Sequence, residues 1–182
     1  MNLPNKITIA RVFLIPVFLL CLMIDWGVVW MPYVAAAVFA IASLTDLVDG
    51  KLARKLNLVT NFGKYMDPLA DKLLVCSTLI AFVEMGKLQA WIVIIIIARE
   101  FIISGFRLVA SDAGVVIAAS MWGKVKTTVQ MIMIELLILK LPIPYMDIVE
   151  LVFVYAALAL TLISLIDYIA KNVKVLNTTN NK

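Results

Sequence analysis

Six apolar stretches, over residues 7–24, 28–49, 64–85, 90–110, 121–139 and 147–170, dominate the chain. Each is close to the roughly 20 residues that an α-helix needs to cross a bilayer. In hydrocarbon every backbone N–H and C=O must be bonded within the protein, so stretches of this length are read as helices. Hydrophobic residues make up 64% and charged residues 15% of the 182 positions. A soluble domain has about 45–50% and about 25%. The expected fold is therefore all-α and integral to a membrane, with six transmembrane helices after a short N-terminal interfacial segment at 1–6. It forms a single domain over 1–182, with a polar, frayed tail at 171–182.

Charge placement orients the spans. Six crossings put both termini on one face, together with Lys6, Arg11, Lys51, Arg54, Lys55, Lys64, Lys72, Arg107, Lys124, Lys126, Lys171, Lys174 and Lys182. The opposite face keeps Lys87 and Lys140. By the positive-inside rule both termini are cytoplasmic, in a cell membrane. The start, with Lys6, Arg11 and then LIPVFLLCLMI, resembles a signal peptide but has no small-x-small cleavage site, and is read as a retained span. Cys21 and Cys76 fall inside apolar runs and read as small core residues. With no histidine in the chain, acid–base chemistry falls to carboxylates, Lys, Tyr, Cys or a metal-bound group. No nucleic-acid partner is expected.

One stretch, TDLVDGKLARKLNLVTNFGKYMDPLAD at 45–71, carries four aspartates at the margins of apolar segments. Asp46 and Asp49 share a helix face at the end of the second span, and Asp67 and Asp71 share one at the start of the third. A basic turn at 50–63 would bring the two helix ends together at the cytoplasmic rim. Such carboxylates could be ordinary solvated charges flanking a turn. Four together, however, repel one another unless protonated or neutralised. Hard divalent cations such as Mg²⁺ or Mn²⁺ take carboxylate oxygens and recruit phosphate oxygens as well, and a two-metal site stabilises in-line displacement at phosphorus. Gly50 and Gly63 would allow close backbone approach to a phosphate, and Arg54 offers a planar fork to its oxygens.

Asp46-x-x-Asp49-Gly50-x-x-Ala53-Arg54, followed by Gly63-x-x-x-Asp67-x-x-x-Asp71, resembles the signature of the CDP-alcohol phosphotransferase family at every fixed position. The resemblance implies six membrane helices, a homodimer, and transfer of a phosphatidyl group from a CDP-linked donor to an alcohol. It further implies that Asp46, Asp49, Asp67 and Asp71 hold two divalent cations and that Asp71 is the general base. Asp49, Gly50, Ala53, Arg54 and Gly63 would line the CDP site. Asn5, Thr8 and Arg11 resemble, more loosely, the family's nucleotide-binding N-terminal pattern.

The acceptor alcohol must be chosen by residues outside the signature. Arg99 and Glu100 lie mid-span, where charge is costly unless paired or facing a polar cavity. Around a helix, Arg107 falls about 20° from Glu100, and Arg99 about 80° from Arg107. Lys124 shares a face with Thr128, and Lys126 with Gln130. Arg99–Glu100 could be a structural ion pair between helices, and Lys124 and Lys126 could be topology anchors. The alternative is that Arg99, Arg107 and Lys124 form a cationic pocket for an acceptor carrying its own phosphate. Ala98-Arg99-Glu100, Arg107 and Gly123-Lys124-Val125-Lys126-Thr127 resemble the bacterial branch of the family that acts on sn-glycerol 3-phosphate. The implied partners are CDP-diacylglycerol, glycerol 3-phosphate and membrane lipid. The last span would contribute mainly packing and lipid contact. Serine, an inositol phosphate or phosphatidylglycerol as acceptor, a small ion transporter, and a purely structural membrane subunit are the competing readings.

Overall fold

The structure is a computed structural model that describes the backbone of residues 3–55, 61–112 and 120–178, and the side chains of 9–45, 69–70, 72–111 and 120–172. The order is α1 (Leu3–Met23), α2 (Met31–Lys55), α3 (Asn61–Glu84), α4 (Ala90–Asp112), α5 (Met121–Leu139) and α6 (Met146–Thr178), with no strand among the described residues. Met146–Asn172 is long and apolar enough to cross a bilayer, with a mean hydropathy of 2.4. Ile9–Met23 and Met31–Thr45 are shorter apolar helical stretches. Charges at Arg99, Glu100 and Arg107 interrupt α4, and Lys124, Lys126 and Glu135 interrupt α5.

Three boundaries differ from expectation. Residues 3–6 are the first turn of α1 rather than a separate interfacial segment, because a proline near a helix start gives up only an N–H that lacks an intrahelical partner. The turn expected at 50–63 is shorter, since α2 runs on to Lys55 and α3 starts at Asn61. Lys, Leu, Ala and Arg all favour helix, and one glycine among them costs only about 1 kcal/mol. The tail expected to fray at 171 stays helical to Thr178. Lys171 Nζ pairs with Asp167 Oδ1 at 2.6 Å one turn back, and Asn172 Nδ2 donates to Tyr168 O at 2.8 Å, carrying the helix past its apolar stretch.

The chain packs as two compact units, Met1–Leu88 with Ile134–Leu141, and Gln89–Met133 with Pro142–Lys182. In the first, α1 packs against both α2 and α3. Ala35, Ala36, Phe39 and Ala42 form the buried face of α2, where small side chains let the backbones approach. Phe18 of α1 meets Phe39 with ring centroids 5.6 Å apart. Along α3, Ala70, Leu74, Thr78 and Phe82 recur every four residues as its buried stripe, and Thr78 Oγ1 donates to Leu74 O at 2.8 Å. The connection after α1 is closed by Trp26 Nε1, which donates to Leu20 O at 3.2 Å, and by Gly27 N, which donates to Asp25 Oδ1 at 2.9 Å. Gly86 ends α3 at φ +70°, a left-handed conformation that favours glycine. Lys87 Nζ donates to Leu137 O at 2.5 Å. Neither cysteine is in a disulfide; Cys76 is buried and Cys21 half-buried.

In the second unit α4 packs on α6. Ile92, Val93, Ile96, Ile103 and Ala110 are buried on α4, and Ala157, Thr161, Ser164 and Tyr168 on α6. The hydroxyls of Thr161 and Ser164 are satisfied locally. Thr161 Oγ1 donates to Ala157 O at 2.6 Å, and Ser164 Oγ donates to Thr161 O at 3.0 Å. Outward, α6 presents Leu151, Val152, Leu162, Ile163 and Ile166, an apolar exterior suited to lipid.

Candidate functional site

The aspartate stretch lies entirely within the first unit. Continuation of α2 through Lys55 places positions 46, 49, 50 and 53 in unbroken helix, within an arc of about 100° around its axis. Positions 63, 67 and 71 recur every four residues in the first half of α3, within about 80°. Gly50 and Ala53 therefore share the register of Asp46 and Asp49 instead of occupying a turn, and Arg54 follows about 80° from Asp46. The side chains of Asp46, Asp49, Gly50, Ala53, Arg54, Gly63, Asp67 and Asp71 lie outside the described residues, as do those of Asn5 and Thr8. Thr45, immediately before Asp46, bonds back into its own helix through Oγ1 to Ile41 O at 2.6 Å. Ala70, immediately before Asp71, is buried.

As a donor set, four carboxylates one helical turn apart in two pairs, with no histidine in the chain, suit hard oxygen-seeking cations such as Mg²⁺ or Mn²⁺ and not the softer metals that take imidazole or thiolate. Arg11 of α1 belongs to the same unit. It is 4% exposed and engaged with the protein. A guanidinium this deep is retained only where it is paired or hydrogen-bonded.

The second unit holds the other cations, and burial divides them. Arg99 is 7% exposed. Its Nε donates to Ser164 Oγ at 3.1 Å and its Nη1 to Glu100 Oε1 at 3.1 Å. Lys126, 1% exposed, donates its Nζ to the same Glu100 Oε1. One carboxylate oxygen thus holds two buried cations from α4 and α5. Gln130, one turn beyond Lys126, is buried with it, whereas Lys124 and Thr128 are exposed on another face of α5. Arg107 is also exposed, with its guanidinium carbon 6.0 Å from the centroid of the buried Tyr168 ring. Of the three residues expected to share a pocket, Arg99 is buried in the ion network, while Arg107 and Lys124 are exposed.

The start of α5 is built for close approach. Ser120 caps it, its Oγ accepting from Gly123 N at 3.1 Å. A side chain at Gly123 would place its Cβ 3.4 Å from Arg99 Nη2. The last helix, expected to supply mainly packing and lipid contact, contributes Ser164 to Arg99 and Tyr168 to Arg107. The signal for both is the recurrence of Thr161, Ser164 and Tyr168 on one face of an otherwise apolar run.

Known proteins match this chain from end to end. A profile of the CDP-alcohol phosphatidyltransferase family matches residues 1–163. A Bacillus subtilis protein named CDP-diacylglycerol–glycerol-3-phosphate 3-phosphatidyltransferase is 46% identical, covering 98% of this chain and 99% of the relative. A Rickettsia felis protein of the same name is 40% identical over 90% of this chain and 91% of its own length, and one from Haemophilus influenzae is 39% identical over 92% and 91%. The match spans both the helices that carry the aspartates and the helices that carry Arg99 and Lys126, and the chain belongs to the CDP-alcohol phosphatidyltransferase family.

Proposed function

We propose that this protein transfers the phosphatidyl group of CDP-diacylglycerol to sn-glycerol 3-phosphate, giving phosphatidylglycerophosphate and CMP. The observation that carries this reading is the end-to-end match, at 46% identity, to a relative named for that reaction. The aspartate register in α2 and α3 supports it chemically.

Asp46, Asp49, Asp67 and Asp71 would hold two divalent cations, which when bound polarise the phosphoryl oxygens and offset charge on the departing nucleotide. Asp71 takes the proton from the 1-hydroxyl of glycerol 3-phosphate as that oxygen attacks the diacylglycerol-bearing phosphorus. A new P–O bond forms, the bond to the bridging oxygen breaks, and CMP leaves with the electron pair. Asn5, Thr8, Arg11, Asp49, Gly50, Ala53, Arg54 and Gly63 bind the CDP moiety. In that set the small side chains permit close backbone approach and the arginines meet phosphate oxygens. Arg99, Arg107 and Lys124 take the acceptor's phosphate, a dianion that serine lacks.

The chain forms one domain over 1–182, crosses the bacterial cell membrane six times with both termini and the site on the cytoplasmic face, and works as a homodimer. What supports that orientation is the lysine and arginine excess on one set of helix ends.

The test is purified protein in detergent with CDP-diacylglycerol, Mg²⁺ or Mn²⁺ and one acceptor at a time. CMP release with glycerol 3-phosphate is expected. Release with serine, an inositol phosphate or phosphatidylglycerol alone would overturn the acceptor, and release with none would overturn the reaction.

A further inference from the structure

Arg99 is a fork of five N–H donors. The protein uses two sides of it, Nε on Ser164 Oγ at 3.1 Å and Nη1 on Glu100 Oε1 at 3.1 Å. Among the described residues Nη2 has no hydrogen-bond partner, and the Arg99 side chain keeps 8% of its surface exposed. It faces the first turn of α5, 3.4 Å from the point where any side chain at position 123 would begin. The Glu100 oxygen that fixes Nη1 also takes Lys126 Nζ. Rotation of the guanidinium would therefore break a bond to α6 and disturb a second cation.

Resting on the glycerol 3-phosphate reading above, we propose that Glu100 is a positioning residue and Gly123 a clearance residue for the acceptor. Glu100, with Ser164, turns Arg99 so that its Nη2 edge alone is offered to a phosphomonoester, and the bare Cα of Gly123 keeps that edge open beside the positive end of α5. A phosphate at Nη2 gains a charge-assisted donor from a guanidinium already immobilised, so little ordering remains to be done on binding. Helix-start amides and dipole add to it. Glu100 does not touch the substrate. It acts through Arg99.

Steady-state kinetics on the full chain in detergent test this, with CDP-diacylglycerol and glycerol 3-phosphate varied separately and inorganic phosphate as competitor. Gly123→Ala is expected to raise the KM for glycerol 3-phosphate and the Ki for inorganic phosphate together by about tenfold, the scale of one charge-assisted hydrogen bond. The KM for CDP-diacylglycerol should stay within about twofold and Tm should not fall, since Ala replaces Gly within a helix. Glu100→Gln, which keeps an oxygen for Arg99 but loses the charge facing Lys126, should show the same split, and Glu100→Ala a larger one. Tm falls in the Glu100 variants under either reading, because Arg99 and Lys126 lose a buried partner, but a purely structural role would move both KM values and kcat together. An acceptor KM unchanged in Gly123→Ala, or a donor KM raised as much as the acceptor's, overturns the proposal. Arg99→Lys separates it from the reading beneath. If that change leaves the acceptor KM untouched, Arg99 is not an acceptor residue. If it raises the acceptor KM while the Glu100 and Gly123 variants do not, only the positioning inference fails.

Discussion

Arg99 of α4 donates its Nε to Ser164 Oγ of α6 across 3.1 Å, and Ser164 in turn donates to Thr161 O at 3.0 Å. The serine's donor and an acceptor lone pair are both in use, in a helix built mainly of apolar residues. Removing the hydroxyl leaves a buried guanidinium nitrogen without its acceptor, which costs about 1–3 kcal/mol. Ser164→Ala should therefore lower the unfolding midpoint in detergent, measured by a thermal or denaturant scan. Ser164→Thr, which keeps the oxygen, should recover most of the loss.

On the proposed mechanism, Asp71→Asn keeps the size of the side chain and an oxygen ligand but removes the proposed proton acceptor. Turnover should fall by about 10²–10⁴-fold, the usual contribution of a general base. The metal concentration for half-activity should shift less than in Asp46→Asn. Titration of activity with Mn²⁺ in both variants checks this, and near-normal turnover in Asp71→Asn would remove it from the base role.

Chelation with EDTA should abolish CMP release, and Mg²⁺ or Mn²⁺ should restore it, because the proposed donor set is all carboxylate. Recovery with Zn²⁺ but with neither of these two ions would argue against a hard-cation site at the aspartates.

Gly86 sits at φ +70°, and a Cβ added there would meet nothing within 4 Å, so a side chain at this position brings strain and no clash. Gly86→Ala should cost about 1 kcal/mol through the left-handed backbone alone. Gly86→Asn, which tolerates that region better, should cost less. Unfolding midpoints of the two variants make the comparison, with activity unchanged in both.

Orientation is checked with single cysteines in a background lacking Cys21 and Cys76. Lys140→Cys should react with a membrane-impermeant maleimide in intact cells, and Lys171→Cys only after lysis. The reverse pattern would invert the topology.

Much of the helical architecture is legible in the sequence because it follows from local chemistry. Apolar length, Gly86 at the end of α3, and the prolines at 142 and 144 after α5 mark where helices must start and stop. The boundaries that differ lie where composition changes but helix propensity does not. Lys51, Leu52, Ala53, Arg54 and Lys55 favour helix despite their charge, and beyond residue 170 α6 is carried on by Lys171 and Asn172 bonding one turn back. Hydropathy ends a span; it does not end a helix.

The cation cluster is only half legible. Arg99 and Glu100 stand out as costly charges in an apolar run. Lys124 and Lys126 look equivalent by hydropathy, although two residues apart on a helix they lie about 160° from one another. Helical geometry dictates that one of the two faces away from the other and that the aspartates at 46, 49, 67 and 71 recur in register, and their match to the family signature points to phosphoryl transfer. Tertiary structure alone decided that Lys126 is the buried one and that Glu100 Oε1 serves both it and Arg99. Only packing fixes which arc of α5 meets α4, and only that contact brings an ammonium and a guanidinium, 27 residues apart in sequence, onto one oxygen.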